Sequence, residues 1–370
     1  MTNQTTLNSF VGEIHYYRIY DIGWAVDLKI ATAMLEKKNS AQTFKLNKSN
    51  RKMVMNEAPL VISLGDWTIT IFDKTYPVKS FAKLWSFGAL SITYRIQVGD
   101  AISIEELKKI SRYLEDDQLL TANTLEKARE ISEDLKVAIR GINIWDQFED
   151  YLIFVVDAKK IPALKIENVL AEENIFQLLL QEQDLKLGHQ VKDHIRDSVY
   201  QYSDNDFVII DWSSALVYSE DDKQDIADVI EFALCQLLEL RYYDDQLDRQ
   251  LNVLYKSIQQ NSPSVFTANY SKFAKEASLI YIDMSEIIER IENSLKIIGD
   301  FFYAKIFRAS TQRFRVQDWQ QSVDKKLKNL ADISVIFQNE INEKRNQMME
   351  IVIIVLIAVE VVPLVLRFVF

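Results

Sequence analysis

The apolar run at residues 351–370 constrains this chain more than any other feature of its sequence. Sixteen of its twenty residues are Ile, Val, Leu or Phe. About 20 apolar helical residues cross the roughly 30 Å hydrocarbon core of a bilayer. Inserting the apolar side chains contributes roughly 5–10 kcal/mol, whereas Glu360 near the centre costs about 3 kcal/mol. The run therefore predicts a transmembrane helix in contact with a lipid bilayer, with a very apolar core helix as the alternative.

The flanks of the run predict its orientation. Lys344 and Arg345 come just before it, and positive charges are retained on the cytoplasmic side of a membrane. Arg367 lies near the far end, where its long side chain can reach the opposite interface. The first seventeen residues do not combine a basic segment with an apolar run, so they do not resemble a secretory signal. We expect a single-pass protein with a C-terminal anchor and a cytoplasmic body.

The composition of the chain is typical of a folded, helix-rich protein. Its 370 residues are 48% apolar and include only 8 Gly and 5 Pro, which is enough for one or two domains with their own cores. The single cysteine, Cys235, excludes a disulfide framework and a cysteine-based metal site. A net charge of -11 disfavours general DNA binding, because phosphate backbones are also negative.

Residues 12–218 alternate strand-like and helix-like segments. Residues 13–20 predict a strand and residues 27–38 a helix. Short strands are predicted at 60–64 and 67–72, a longer strand at 86–98, and a later helix at 166–182. Ser103 with Glu106 forms a capping box that begins a helix. A similar order recurs after residue 148. We therefore expect an α+β fold whose N-terminal α/β body consists of two βαββα halves, as in ferredoxin-like folds, at about residues 12–118 and 148–218.

Residues 219–350 predict a helical bundle and stalk. Residues 222–260 carry an apolar stripe of helical period, and a second helix is predicted at 278–298. The last soluble helix then continues into the span at 351–370 without an intervening proline, so we expect one helix from about 316 to 370. Steps of four and three residues form a coiled-coil seam along it: Val323, Leu327, Leu330, Ser334, Phe337, Ile341, Lys344 and Met348.

The C-terminal residues resemble a known family. Asn342 to Arg345 form an Asn-Glu-Lys-Arg cluster, and residues 358–361 read Ala-Val-Glu-Val within the apolar span. Residues 300–303 and 86–90 add two shorter similarities. This pattern resembles the ending of the "required for meiotic nuclear division" family, a domain-of-unknown-function family of membrane-anchored proteins of bacteria, fungi and mitochondria. The resemblance implies a scaffold, in mitochondria one that supports organellar translation at the inner membrane, and no catalytic residues.

The sequence contains no recognised catalytic motif. P-loop, dinucleotide-binding, zinc-protease and nucleophile-elbow signatures are all absent, so we expect no enzyme, no cofactor and no metal site. His189 and His194, with Asp193 between them, offer metal-ligand residue types. Their spacing places the rings on diverging helix faces, which favours surface histidines. The acidic run at residues 244–248 is interpreted as a solvated helix face rather than a cation site.

A basic patch is the first candidate for partner binding. Seven basic residues between positions 305 and 328 stand against two acidic ones. Interleaved aromatic residues would suit RNA, a ribosome or an acidic protein, and the alternative is a charged bundle surface. The candidate partner-binding residues are Arg308, Arg313, Arg315, Trp319, Lys325, Lys326 and Lys328.

Glu360 is the second candidate. An ionisable residue at mid-bilayer generally faces protein, and a single span has no partner of its own. We therefore expect a homo-oligomer or pairing with another membrane protein; the alternative is a protonated glutamate in a strongly apolar helix. The resulting hypothesis is a tail-anchored scaffold that positions a protein or ribonucleoprotein partner. The alternatives are an enzyme or ligand sensor with a cleft between the two halves, and direct RNA binding through the patch.

Overall fold

The structure, a computed structural model, describes residues 7, 9–37, 53–54, 58–182, 185–220, 223–260, isolated positions from 272 to 289, 298–299 and 301–369. The chain divides into two compact units. The sheet unit comprises Met1–Tyr242 and Arg290–Trp319, and the helical unit comprises Tyr243–Glu289 and Gln320–Phe370. The fold is α+β, with a sheet-based N-terminal body and a helical C-terminal region, as the sequence predicts.

The sheet unit is built on one eight-stranded sheet with the order β4-β5-β6-β1-β8-β11-β10-β9. Two short pairs accompany it, β2 with β7 and β3 with β12. The strands are β1 Ser9–Asp21, β2 Ala25–Val26, β3 Met53–Val54, β4 Leu60–Ile71, β5 Lys74–Leu84, β6 Ala89–Ser103, β7 Ile139–Arg140, β8 Phe148–Val156, β9 Val199–Tyr200, β10 Phe207–Ile210, β11 Ser214–Tyr218 and β12 Ile298–Gly299.

The first strands of the two predicted halves, β1 and β8, lie side by side at the centre of the sheet. From β1 outward come β6, β5 and β4, and from β8 outward come β11, β10 and β9. The pairing directions differ, because β1 pairs antiparallel with β6 whereas β8 pairs parallel with β11. A parallel pair requires a crossover connection, and the helices between β8 and β9 supply it. The two halves therefore share an element order but not one strand topology.

The predicted βαββα order needs a correction in the first half. Residues 60–64 and 67–72, expected as two strands, belong to the single strand β4, whose register shifts between Ser63 and Gly65. The strand β5 was not expected at all. The strand expected from Ser86 begins at Ala89, because residues 86–88 form a turn in which Gly88 has φ 109. Only glycine adopts that conformation without strain.

The described part of the chain contains nine helices. Ser103 caps α2 by accepting a hydrogen bond from the Glu106 amide at 3.1 Å, which confirms the predicted helix start. The helix expected over 166–182 is two short helices, because Glu172 between them has extended backbone (φ -91, ψ 115). The helices are α1 Leu28–Lys37, α2 Ile104–Asp116, α3 Gln118–Asp134, α4 Ile166–Val169, α5 Glu173–Leu179, α6 His189–Arg196, α7 Lys223–Gln260, α8 Phe301–Arg313 and α9 Val316–Val369.

Alternate residues of β1 point to two different environments. Ile14, Tyr16 and Tyr20 belong to the main apolar core, where the Tyr20 hydroxyl lies 2.8 Å from Thr124 Oγ1 of α3. Tyr17 and Asp21 lie on the opposite face of the strand, as its period of two requires. That opposite face carries buried ionisable groups, which are described below.

The helical unit buries the predicted seam of α9. Its first five positions, from Val323 to Phe337, are at most 8% exposed. The Ser334 hydroxyl lies 2.7 Å from that of Ser278 in the same unit. The seam weakens toward the apolar segment, where Met348 is 63% exposed. A coiled coil with another chain stays a prediction, and the helix expected at 278–298 lies largely outside the described residues.

The helix α9 runs unbroken from Val316 to Val369, which confirms the prediction of one continuous helix. Its C-terminal part is long and apolar enough to cross a membrane. The most apolar window has a mean hydropathy of 1.8 and no buried residue. Pro363 lies inside the helix near its end.

Candidate functional site

A cleft of about 620 Å³ opens in the sheet unit, and we call it the Arg313 cleft. Its walls come from α6, from β9, from the connection between β10 and β11, and from the C-terminal turn of α8. The lining residues are His194, Asp197, Ser198, Tyr200, Ile210, Asp211, Trp212, Ala309, Gln312, Arg313 and Arg315. Two residues of the predicted basic patch therefore reach one concave site.

Arg313 forms the wall of this cleft. Its Nη2 lies 2.8 Å from Asp211 Oδ1, and the two side chains are 11% and 6% exposed. Its Nη1 donates to Nε2 of His194, whose carbonyl oxygen accepts from Nη2 at 3.4 Å. Among the described residues, none accepts a hydrogen bond from Arg313 Nε. The guanidinium therefore fixes the end of α8 to the sheet, with one donor left unused.

The next residue strengthens the same attachment. Phe314 packs edge-on against Tyr151 of β8, with ring centroids 5.4 Å apart. The Tyr151 hydroxyl donates to the Asp211 carbonyl at 2.7 Å. Burial raises the pKa of Tyr151 well above its ordinary value, so this phenol is a permanent donor at neutral pH. The loop that carries Asp211 and Trp212 is consequently held from two sides.

The rim of the Arg313 cleft is cationic and aromatic. Arg315 is 71% exposed, has φ 54, and pairs with Asp318 at 2.6 Å. Lys305 Nζ lies 5.7 Å from the ring centroid of Tyr200. Trp212 lines the cleft with half of its surface exposed. Aromatic rings and exposed cations therefore lie close together at this opening.

Comparison with known proteins places the chain in a family. Residues 11–225 match the family described as "Uncharacterized protein MJ0711, N-terminal domain". The chain belongs to this family. A relative of the same description from Methanocaldococcus jannaschii is 26% identical over 191 residues, which are 51% of this chain and 58% of that protein. The chain thus matches little more than half the length of that relative.

Only part of the Arg313 cleft lies within the residues that match the MJ0711 family. Its matched range includes the wall from α6 to β11, whereas α8 and α9 lie beyond residue 225. The resemblance to the "required for meiotic nuclear division" family rests mainly on residues 341–370, outside the matched range. That resemblance stays a prediction.

The other residues of the basic patch lie elsewhere. In the sheet unit, Arg308 is exposed and donates to the Ala304 carbonyl of its own helix at 3.2 Å. The Trp319 ring centroid lies 5.8 Å from the guanidinium carbon of Arg241, which also pairs with Glu149. Burial raises the pKa of Glu149 to about 7 despite that pairing. Their contacts serve the packing of the sheet unit itself.

Three patch residues belong to the helical unit. Lys325 and Lys328 are exposed. Lys326 is 17% exposed and lies 2.8 Å from Asp244 and 2.7 Å from Asp248. Asp244 is itself only 14% exposed, so the interpretation of residues 244–248 as a solvated face is wrong for this residue. The patch predicted as one surface is therefore distributed over two units.

The remaining sequence candidates have different outcomes. His194 lies in the Arg313 cleft, whereas His189 is exposed at the start of α6. Within the described part of the chain, no group of three or more His, Cys, Asp or Glu residues is placed to hold a metal ion. The backbone of Glu360 lies in α9, but its side chain is outside what the structure describes.

A buried charged layer beneath α7 was not anticipated from the sequence. Lys83 of β5 lies 2.7 Å from Asp228 and also pairs with Glu231, and the three side chains are at most 5% exposed. Burial opposes the charged lysine, but the two carboxylates raise the pKa of Lys83 above its ordinary value. Burial raises the pKa of Glu231. This triad attaches α7 to the sheet.

A second buried acidic pair lies further along α7. Asp21 at the end of β1 and Glu239 are both fully buried. Burial raises the pKa of each carboxyl well above its ordinary value, so the pair favours a shared or retained proton. The sequence signal for this layer was the presence of acidic residues at positions 228, 231 and 239 within an otherwise apolar helix. These groups are sealed from solvent and contribute to packing rather than to an open site.

Proposed function

We propose that this protein is a membrane-anchored adaptor that positions a protein or ribonucleoprotein partner at the cytoplasmic face of a membrane. The observation that carries the proposal is the continuous helix α9, whose most apolar window has no buried residue. In water such a surface is an aggregation liability, whereas a bilayer both solvates the side chains and suits a helix whose backbone groups are paired internally.

The polar flanks of the apolar segment support the proposed orientation. Lys344 and Arg345 precede it by about two helical turns at the ordinary 3.6 residues per turn. Basic residues at that distance interact with anionic headgroups and favour the cytoplasmic side. In this proposal the segment from residue 351 to 369 crosses the bilayer once, and the residues before it stay on the basic side.

Interaction, rather than catalysis, is proposed for the body because its buried ionisable groups are engaged with one another. Lys83 is satisfied by Asp228 and Glu231, and Arg313 by Asp211. Direct RNA binding through the basic patch has less support, because Arg313 and Lys326 are also paired inside the fold. Arg308, Lys325 and Lys328 remain as exposed cations for an acidic or ribonucleoprotein partner.

Ligand sensing is the second candidate function, and the Arg313 cleft favours it. The cleft differs from the expected one, because α8 and the second half of the sheet form it rather than the two predicted halves. A ligand there would touch the element that leads directly into α9, since Arg315 immediately precedes that helix.

The adaptor proposal is tested by crosslinking and affinity capture from the native membrane. The full chain is compared with a variant that ends at Gln347. We expect the full chain to remain with the membrane and to capture one reproducible partner that the shortened variant loses. Recovery of both forms without a specific partner contradicts the proposal.

Self-association through Glu360 is a separable part of the same proposal. Glu360→Leu removes the ionisable group from the apolar segment, whereas Glu350→Leu removes one just before it and serves as the matched control. We expect the first change alone to reduce crosslinked dimers and native mass. Equal crosslinking of the two variants contradicts the role of Glu360.

A further inference from the structure

The Arg313 cleft has the dimensions and composition of a small-molecule site. Its volume of about 620 Å³ lies within the range of roughly 300–1,000 Å³ that ligand pockets occupy. Aromatic, cationic, neutral polar and acidic side chains converge on it, the acidic ones being Asp197 and Asp211, of which Asp211 is paired with Arg313. The adaptor function proposed above makes no use of this cleft.

The cleft has a fixed, ion-paired wall and an exposed cationic residue, Arg315, at its rim. Arg313 cannot move freely, because Asp211 and His194 hold its terminal nitrogens. Arg315 differs, because it is 71% exposed and its carboxylate partner Asp318 is 55% exposed. A pair that exposed is worth little in water, so Arg315 can exchange Asp318 for a ligand anion at small cost. Lys305 beside Tyr200 adds another positive charge nearby.

The backbone of Arg315 also distinguishes it from an ordinary surface arginine. Its φ of 54 lies in the left-handed region, which residues other than glycine seldom adopt. Arg315 lies in the turn between α8 and α9, and its side chain lines the cleft. Backbone strain of this kind clusters at ligand-binding sites.

Trp212 supplies an apolar plane within the same opening. Half of its surface is exposed, so part of its ring is accessible to a ligand in the cleft. Aromatic planes beside guanidinium groups are the usual recognition elements for nucleobases and their phosphates. Gln312 and Ser198 add neutral hydrogen-bonding groups that can contact the edge of a base.

We propose that the Arg313 cleft binds a nucleotide, with the base stacked on Trp212 and the phosphate paired with Arg315. Arg313 positions the loop that carries Trp212, because it pairs with Asp211, the residue immediately before Trp212. Two ligands carry this chemical group, a free mononucleotide and the end of a single-stranded RNA. Either ligand enters through the same rim.

The proposal is tested by equilibrium dialysis of the full chain in detergent micelles. The probes are AMP, GMP, CMP and UMP, a short single-stranded oligoribonucleotide, and adenosine and inorganic phosphate as partial ligands. We expect at least one mononucleotide or the oligonucleotide to bind more tightly than either partial ligand. Tighter binding of the mononucleotide identifies a free nucleotide as the ligand, and tighter binding of the oligonucleotide identifies an RNA end.

Two variants locate the site. Arg315→Gln should weaken binding about tenfold, because it removes a charge-assisted hydrogen bond. Trp212→Leu should weaken it roughly tenfold by removing the stacking surface, and Trp212→Phe should restore most of the affinity. Arg112→Gln is the matched control, since Arg112 is also an exposed arginine paired with a nearby aspartate, Asp116.

Two results overturn the proposal. One is the absence of binding by all nucleotides and by the oligonucleotide to a full chain whose folding is verified by circular dichroism. The other is binding that Arg315→Gln and Trp212→Leu leave unchanged. Because the experiment measures ligand affinity and not partner capture, its failure leaves the adaptor proposal standing.

Discussion

The two halves of α9 are both helical, but they differ in how far their side chains are buried. In the first half, Val323, Leu330 and Phe337 are at most 4% exposed, while Asp324, Lys325 and Lys328 between them are exposed. In the second half, none of the described side chains from Ile351 to Val362 is buried. Both halves are helical, apart from the amide donor that Pro363 lacks in the second half, so the side-chain pattern distinguishes the two environments.

The difference shows how a single helix is matched to two solvents. A stripe of apolar residues needs one packing partner and leaves a polar face for water. A segment that is apolar on every side has no polar face, so a packing partner on one side covers only part of its apolar surface. The first half therefore belongs to a folded unit, and the second half requires a bilayer in our account.

The largest expected effect comes from placing charges in the apolar half. The double change Val355→Lys and Ile357→Lys should release the chain from membranes, because each central lysine costs about 3 kcal/mol of insertion. The measurement is the fraction of protein that resists extraction by alkaline carbonate.

The matched control uses the same two substitutions in the other half of the helix. Val335 and Ile336 are 54% and 58% exposed, close to the 53% and 54% of Val355 and Ile357. Val335→Lys with Ile336→Lys should leave membrane association unchanged. Equal release by both pairs would show that general charge, rather than position, controls the association.

The second effect concerns stability within the helical unit. Leu330→Ala should lower the free energy of unfolding by about 3 kcal/mol, because it leaves a cavity at a fully buried seam position. Ile354→Ala, at a side chain that is 64% exposed, should leave it unchanged. Urea titration of the chain in micelles, followed by circular dichroism, measures both. Similar losses would mean that the two halves are packed alike.

The smallest effect belongs to the polar position of the seam. Ser334 is 7% exposed and contacts the Ser278 hydroxyl and the Ala274 carbonyl. Ser334→Ala should cost about 1 kcal/mol, the ordinary net value of such hydrogen bonds. The same urea titration detects it. Ser322→Ala is the half-buried comparison, because it also removes one hydrogen bond, from Ser322 Oγ to Asp244 Oδ1 at 2.7 Å. A gain in stability would indicate that the Ser334 hydroxyl does not stabilise the fold.

The sequence predicted the elements that carry strong periodic patterns. The apolar run, the seam and the Ser103 cap were recognised because each depends on neighbours a few residues away. The strand β5 was missed because Pro77 interrupts its alternation and because the preceding turn lacks the usual glycine or asparagine. Phe72 and Asp73 make that turn with φ 47 and φ 64. Tyr76 and Val78 do alternate into the core, but three lysines in the same strand mask them.

The candidate site was predictable only in part. Arg313 and Arg315 were selected for their charge, but the partners that decide their roles are distant in sequence or in another element. Asp211 lies 102 positions before Arg313, and no local pattern links them. The Lys83 triad was missed for the same reason, since Asp228 and Glu231 resemble solvated helix positions until the lysine of β5 lies beside them.

Cysteine accessibility along α9 tests the central claim most directly. The native thiol, Cys235, is fully buried, so a water-soluble maleimide should not label the chain before a new cysteine is introduced. Val335→Cys and Val355→Cys introduce single thiols at side chains that are 54% and 53% exposed in the fold itself. In native membranes we predict rapid labelling at position 335 and strong protection at position 355. Equal labelling of the two positions would contradict the anchor.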